Sequence, residues 1–288
     1  MNQFDPTGRQ EDPGILAGAN SPIFIISTPR CGSTLLYQVL CRGAEVAFFS
    51  NLMSLLPRFS VRLSAASLAR AALPNDSYPS GDYGFLPGLY APSEAGKIVD
   101  RWFDPDRVPE HRDPVRRNVA AITRRTGRPL LIKSPSLALK LPTVLNIFPE
   151  ARIIFLTREP TYVIQSLLKG QTNTRIADDR WEGIRPPGFS DRSGDGVEAQ
   201  AAWQVAELLR LIESAISVAD AGRVARVDYG AFCDEPRGAL AEIGGTLSID
   251  VSPSNLPKSF PASQSQNVTD EQWKKIIQAC WDTGLKTR

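Results

Sequence analysis

Residues 22–40 read PIFIISTPRCGSTLLYQVL, an apolar strand that runs through a short glycine-containing loop into a helix, and no other stretch limits the fold as much. Ile23, Phe24, Ile25 and Ile26 form a β-branched and aromatic run too short for a helix, which predicts a buried parallel strand. A helix starting near Ser33 aims its free N–H groups and the positive end of its dipole at whatever lies over residues 30–34. Arg30, Ser33 and Thr34 add side-chain donors, so the turn suits an anion. It is not an ordinary nucleoside triphosphate loop. That loop needs G-x-x-x-x-G-K-[ST], and here Gly32 stands alone with no lysine after it.

The same grammar returns in residues 151–168, ARIIFLTREPTYVIQSLL. Pro160 is at home in a first helical turn, and Ser166 then lies about two turns along, where it can face the strand end. Arg158 offers a planar, permanently charged fork suited to a phosphate. Each turn alone is a common connection with a solvated charge. Two of them, each after a predicted parallel strand, form a pattern.

Together the two segments resemble the bacterial branch of the sulfotransferases that use 3′-phosphoadenosine 5′-phosphosulfate (PAPS). Pro29, Arg30, Cys31, Gly32, Ser33 and Thr34 match the family's P-[KR]-S-G-[ST]-[ST] loop with Cys31 in place of serine, and Arg158 and Ser166 have the family's spacing for the pair that holds the cofactor's 3′-phosphate. The resemblance extends over about residues 21–250. In LLIKSPSLALKLP, Lys133 takes the place of the lysine that reaches the transferred sulfuryl group. In VDYGAF, Tyr229 takes that of a tyrosine packed on the adenine, although Gly230 and Ala231 replace the usual Glu-Asp. The glycine-and-basic segment of the cytosolic animal enzymes is not visible in residues 255–268, which cover the cofactor differently or not at all.

What the resemblance implies is an α/β three-layer sandwich with a central, mostly parallel sheet of the P-loop-like sulfotransferase kind. It also implies PAPS as donor, adenosine 3′,5′-bisphosphate as product, no metal, and a small-molecule or glycan acceptor bearing a hydroxyl or amine. Thr28 and the loop through Thr34 would hold the 5′-phosphate, with Arg30 and Lys133 neutralising the leaving phosphate and the sulfuryl oxygens. Transfer should resemble phosphoryl transfer, catalysed mostly by positioning and electrostatics.

The proton acceptor departs from the family pattern. One branch places a histidine two residues after the lysine, where this chain has Pro135; another uses a glutamate about twenty residues after the loop arginine, where it reads Phe49-Ser50-Asn51. The candidates are Glu94, His111 and Asp82. Glu94 lies in APSEAGKIVDRWF, reached directly from an aromatic loop, although Ser93 or Glu94 can equally serve the N-terminus of a helix there. His111 is the one histidine, a residue type suited to base work, but it sits among charges before an exposed helix.

Composition narrows the alternatives. The chain has 288 residues, 42% apolar and 22% charged, which fits one large α/β domain over residues 21–288 preceded by a disordered arm over residues 1–20. A net charge of +2 is too small to argue for nucleic acid. Arg112, Arg116, Arg117, Arg124 and Arg125 read as a solvated face of a helix capped at Asp113, begun at Pro114 and ending near Thr126. No apolar run approaches a membrane span, and the N-terminal residues lack the regions of a signal peptide, so a cytoplasmic protein is expected. Oligomeric state is open. Four cysteines without C-x-x-C spacing read as free thiols. Cys31 is no C-x₅-R phosphatase nucleophile, because Tyr37 occupies the place of the arginine.

Strands are expected near 23–27, 45–49, 129–133, 152–157 and 224–228, separated by helices, so ligands should bind at the carboxyl ends of the strands. Residues 73–92, rich in aromatics and turn residues, read either as an acceptor pocket or as a loop packed on the domain. Residues 171–196 are placed to close over the cofactor as a lid. A nucleotide-dependent kinase on a related sheet and a non-catalytic cofactor-binding relative are the competing readings.

Overall fold

The computed structural model describes residues 16–71, 78, 86–173, 183–192 and 194–287. Five strands, β1 (Ile23–Ser27), β2 (Ala47–Phe48), β3 (Leu130–Lys133), β4 (Arg152–Thr157) and β5 (Val224–Asp228), form one sheet in the order β2-β3-β1-β4-β5. Every pairing is parallel, with Ile25 beside Lys133 and Ile154 on its two flanks. Successive side chains of a strand point to opposite faces, and the hydrophobic residues divide accordingly. Ile23, Ile25, Leu131, Ile154 and Leu156 enter one core; Phe24, Ile26, Leu130, Ile132, Ile153 and Phe155 enter the other.

Helices cover both faces. The first core is closed by apolar residues of α1 (Ser33–Gly43), α7 (Pro160–Asn173), α10 (Pro236–Leu247) and α11 (Asp270–Asp282). The second is closed by α4 (Gly96–Trp102), α5 (Val108–Thr126) and α6 (Leu137–Ile147). The long α8 (Val197–Ile216) spans the two, with Ala201 and Val205 in the first and Leu208 and Ile212 in the second. This is the expected three-layer architecture, and over β1, β3 and β4 both sheet faces are dry, which is why those strands read as near-continuous apolar runs, whereas the edge strand β5 alternates, with Arg226 exposed. Two short helices, α2 (Asn51–Leu55) and α3 (Ser60–Ala69), follow β2, and α9 (Tyr229–Asp234) follows β5.

Three local expectations are corrected. The arginine-rich helix starts at Val108, so Asp113 does not cap it and Pro114 lies inside it. Proline there forfeits one backbone bond to the previous turn, a loss tolerated on a part of the helix that faces water. The helix whose N-terminus Ser93 or Glu94 was expected to serve starts only at Gly96, after Ala95 in a left-handed conformation at φ 50°. Val227–Phe232 is not all strand end. Asp228 ends β5 and its carboxylate accepts from Ala231 N at 3.0 Å, capping α9.

The arm expected over residues 1–20 is described from residue 16, where Leu16 is buried. Arg152 holds that segment. It donates to Ala19 O and Ser21 O on one side and to Leu247 O and Ser248 O on the other. No helix among the described residues is long and apolar enough to cross a membrane.

Candidate functional site

Strand order fixes where a ligand can sit. The chain leaves β1 toward β3 on one side and later passes to β4 on the other, so the crevice beyond the carboxyl end of β1 is the switch point of the sheet. Residues 28–34, Lys133 and Arg158 all open onto it. The loop is bent by two left-handed residues, Arg30 at φ 64° and Gly32 at φ 89°. A non-glycine residue held there costs roughly 1–3 kcal/mol, and the surroundings must over-determine it. They do: Arg158 Nη1 donates to Arg30 O at 2.9 Å, and Arg30 Nε donates to Ser166 Oγ at 3.0 Å. Gly32 also has a steric reason, since a Cβ there would collide with the Tyr229 ring.

Beyond the bend, Leu35 N and Leu36 N donate to Gly32 O, so the Ser33 and Thr34 amides ahead of them belong to the open first turn of α1. Thr28 is buried, with its Oγ1 2.8 Å from Cys31 Sγ. Burial pushes the Cys31 thiol up to about 11, against the opposing pull of the Thr28 bond and Arg158. Cys31 is therefore a neutral thiol lining the loop. Pro29 abuts Gly183, the first described residue after 174–182. Residues 174–182, the greater part of the expected lid, lie outside the described residues.

Arg158 is the hub of the β4 turn. Its guanidinium lies 4.8 Å from the Tyr229 ring centroid, and Nη2 donates to Ser263 O. Its Nε is buried with no partner among the described residues. Burial lowers its pKa, with the Tyr229 and Cys31 groups pulling the other way. Residues 260–267, a segment the sequence left open, run beside this hub: Gln165 Nε2 donates to Ser265 O at 3.0 Å and Asn267 N donates to Gln165 Oε1 at 2.7 Å. Gln165, adjacent to the expected Ser166, and the Ser263 carbonyl were not foreseen.

The third group meets at the end of β3. Lys133 is buried, and its Nζ donates to Glu94 Oε1 and, at 3.3 Å, to Thr34 Oγ1. Thr34 Oγ1 in turn donates to Glu94 Oε1 at 3.0 Å. Burial lowers the lysine's pKa while Glu94 raises it. The Glu94 carboxylate thus faces the lysine, not the amides of α4. Its neighbour is anchored separately: Ser93 N donates to Phe49 O at 2.7 Å, Ser54 Oγ donates to Ser93 Oγ at 2.8 Å, and Tyr37 OH donates to Ser93 O at 3.1 Å.

Thr34, Glu94 and Lys133, each a candidate from the sequence, come from three distant segments, and the structure brings them together. His111 lies elsewhere, its Nδ1 3.2 Å from Arg101 O at the end of α4. Asp82 and most of the aromatic segment lie outside the described residues. Of its described aromatics, Tyr78 packs edge-on against Phe260 at 4.8 Å with Arg42 over its ring, and Tyr90 has Arg70 over its ring at 6.0 Å.

Comparison with known proteins then decides the family. A model of the sulfotransferase family matches residues 22–253, well over half of the chain. The chain belongs to the sulfotransferase family. The omega-hydroxy-beta-dihydromenaquinone-9 sulfotransferase Stf3 of Mycobacterium bovis is 22% identical to this sulfotransferase over 168 residues, 53% of the chain. The match spans 41% of that relative's length, less than half of it. Among solved structures, the sulfotransferase STF9 of Mycobacterium avium superposes with a TM-score of 0.58 at 16% identity, covering 94% of this chain and 79% of that one. The sulfotransferase domain from the curacin biosynthetic pathway gives 0.50 at 17% identity over 95% and 99%. These likenesses establish the sulfotransferase fold.

Proposed function

We propose that this chain transfers a sulfuryl group from PAPS to a hydroxyl, or an amine, of a small-molecule or glycan acceptor. The observation that carries the reading is the meeting of Lys133, Thr34 and Glu94 at the mouth of an anion-suited loop, with a second cationic turn at Arg158 beside it. The residues fit the donor. Arg158 keeps a buried Nε with no partner among the described residues, and the open first turn of α1 supplies amides, which together suit two phosphates.

When bound, PAPS supplies an activated sulfuryl group on a phosphate that leaves readily. Arg158 and Ser166 would hold the 3′-phosphate, the loop from Thr28 to Thr34 would hold the 5′-phosphate, and Tyr229 would stand against the adenine. Arg30 and Lys133 neutralise charge on the phosphate and sulfuryl oxygens. Glu94 would take the proton of the acceptor hydroxyl. His111, held on a carbonyl of α4, has no part in this. The name of the Stf3 relatives, with its terminal hydroxyl, agrees with a hydroxyl acceptor.

Calorimetry with adenosine 3′,5′-bisphosphate tests the donor side. Micromolar binding that weakens in Arg158→Ala is expected; no binding, or binding unchanged in the variant, sinks the reading. Turnover of PAPS over a panel of alcohols, phenols and sugars separates an enzyme from a non-catalytic binder.

A further inference from the structure

The acceptor end of the site is flanked by an unusual surface. Six large hydrophobic side chains are exposed among the described residues, and three of them lie on α2, its cap and the segment paired with it: Leu55 at 68%, Leu56 at 41% and Leu89 at 54%. They are brought together by backbone pairing. Leu52 N donates to Leu89 O at 2.7 Å, Asn51 N donates to Ala91 O at 3.0 Å, and the Asn51 amide donates to Leu86 O and Gly88 O, so residues 86–91 lie along α2. Leu55 closes α2, and Leu56, outside the helical backbone, follows it directly; both are exposed.

Charge on the described part of this surface has one sign. Residues 46–71 and 86–93 contain Arg58, Arg62 and Arg70 and no carboxylate. All three arginines are exposed. Exposed apolar side chains rimmed by arginine are the composition of a surface that lies on a lipid bilayer, with the leucines in the acyl boundary and the arginines among anionic headgroups. A second copy of the chain fits poorly, since a two-fold contact would set arginine against arginine. The surface is also continuous with the chemistry: Ser54, one residue before Leu55, bonds Ser93, one residue before Glu94.

We propose that the lip formed by α2, α3 and residues 86–90 docks on an anionic membrane surface, and that the acceptor is an amphiphile whose hydroxyl stands at headgroup level, within reach of Glu94. This rests on the sulfuryl-transfer reading for its acceptor half only; the docking stands on the surface itself. No spanning helix is needed for it.

Flotation of the full chain with vesicles of phosphatidylglycerol and phosphatidylcholine, against vesicles of phosphatidylcholine alone, tests the docking. Binding to the anionic vesicles is expected, falling more than about tenfold in Leu55→Ser/Leu89→Ser. In Arg58→Gln/Arg62→Gln it should fall about tenfold and lose its preference for the anionic lipid. Unchanged binding of adenosine 3′,5′-bisphosphate shows that each variant is folded. Failure to bind anionic vesicles, equal binding by both variants, or a dimer that the leucine variant converts to monomer overturns the proposal. Absence of nucleotide binding in the unaltered chain overturns the sulfuryl-transfer reading instead, with the vesicle result unaffected. For the acceptor half, a long-chain alcohol in anionic vesicles should be sulfated faster than a water-soluble short-chain analogue, and the reverse order removes it.

Discussion

The two ends of the crevice are built by different means. At the proposed donor end each group stands within a residue or two of a strand terminus: Thr28 after β1, Lys133 closing β3, Arg158 after β4 and Tyr229 after β5. The sheet's register places them. At the acceptor end Glu94 belongs to no helix or strand. It is aimed by side-chain and backbone bonds through Ser93 to Phe49, Ser54 and Tyr37. A site half fixed by the sheet and half tied by single hydrogen bonds can change its acceptor without disturbing its donor.

Substitutions at each end should therefore separate rate from nucleotide affinity. Lys133→Met is expected to have the largest effect, lowering turnover about a thousandfold through loss of the charge facing the sulfuryl oxygens. Glu94→Gln should lower turnover about a hundredfold and leave the calorimetric affinity for adenosine 3′,5′-bisphosphate within about twofold. Retained turnover would remove Glu94 as the base. Arg158→Ala acts on the other quantity, weakening the bisphosphate about ten- to a hundredfold, the range for hydrogen bonds to a charged group. Ser54→Ala should cost turnover only about threefold to tenfold, by loosening Ser93, with nucleotide affinity unmoved. If Ser54→Ala weakened the nucleotide instead, the division between the ends would fail.

The smallest effect is one of pH. Burial raises the Cys31 thiol from 9.0 to about 11, so the folded chain keeps a proton that the unfolded chain loses within that window. The contribution is complete below 9.0 and disappears as pH rises through about 11. In urea titrations across that range, Cys31→Ala should flatten the decline of stability. An unaltered slope would mean that the thiol is not held neutral by the loop.

How far the sequence could be read follows the same division. Strands β1, β3 and β4 announce themselves as apolar runs because both faces of the sheet are covered there, β5 as an alternating edge strand, and the turns after β1 and β4 are local patterns. The partners of Glu94 are 39 and 60 residues away, and Ser263 O is 105 residues from Arg158, so no local pattern marks them. Asp228 as a helix cap was legible in principle, as an aspartate three residues before the amide it accepts from. It was masked by the apolar run that precedes it. The start of α5 was misplaced because Asp113-Pro114 imitates a helix beginning inside one already under way.

The alternation of β1 between two cores has a genetic corollary. Deleting one codon from residues 23–26 would exchange the occupants of both hydrophobic layers, putting Phe24 where an isoleucine packs and an isoleucine where Phe24 meets Phe103 at 5.6 Å. It would also draw the loop back by about 3.3 Å, one strand residue, and carry Thr34 away from Lys133. Frame-preserving insertions and deletions should thus be purged from this strand far more strictly than point changes among isoleucine, valine and leucine. A deletion scan read out by expression and nucleotide binding would trace the sheet as a row of intolerant positions.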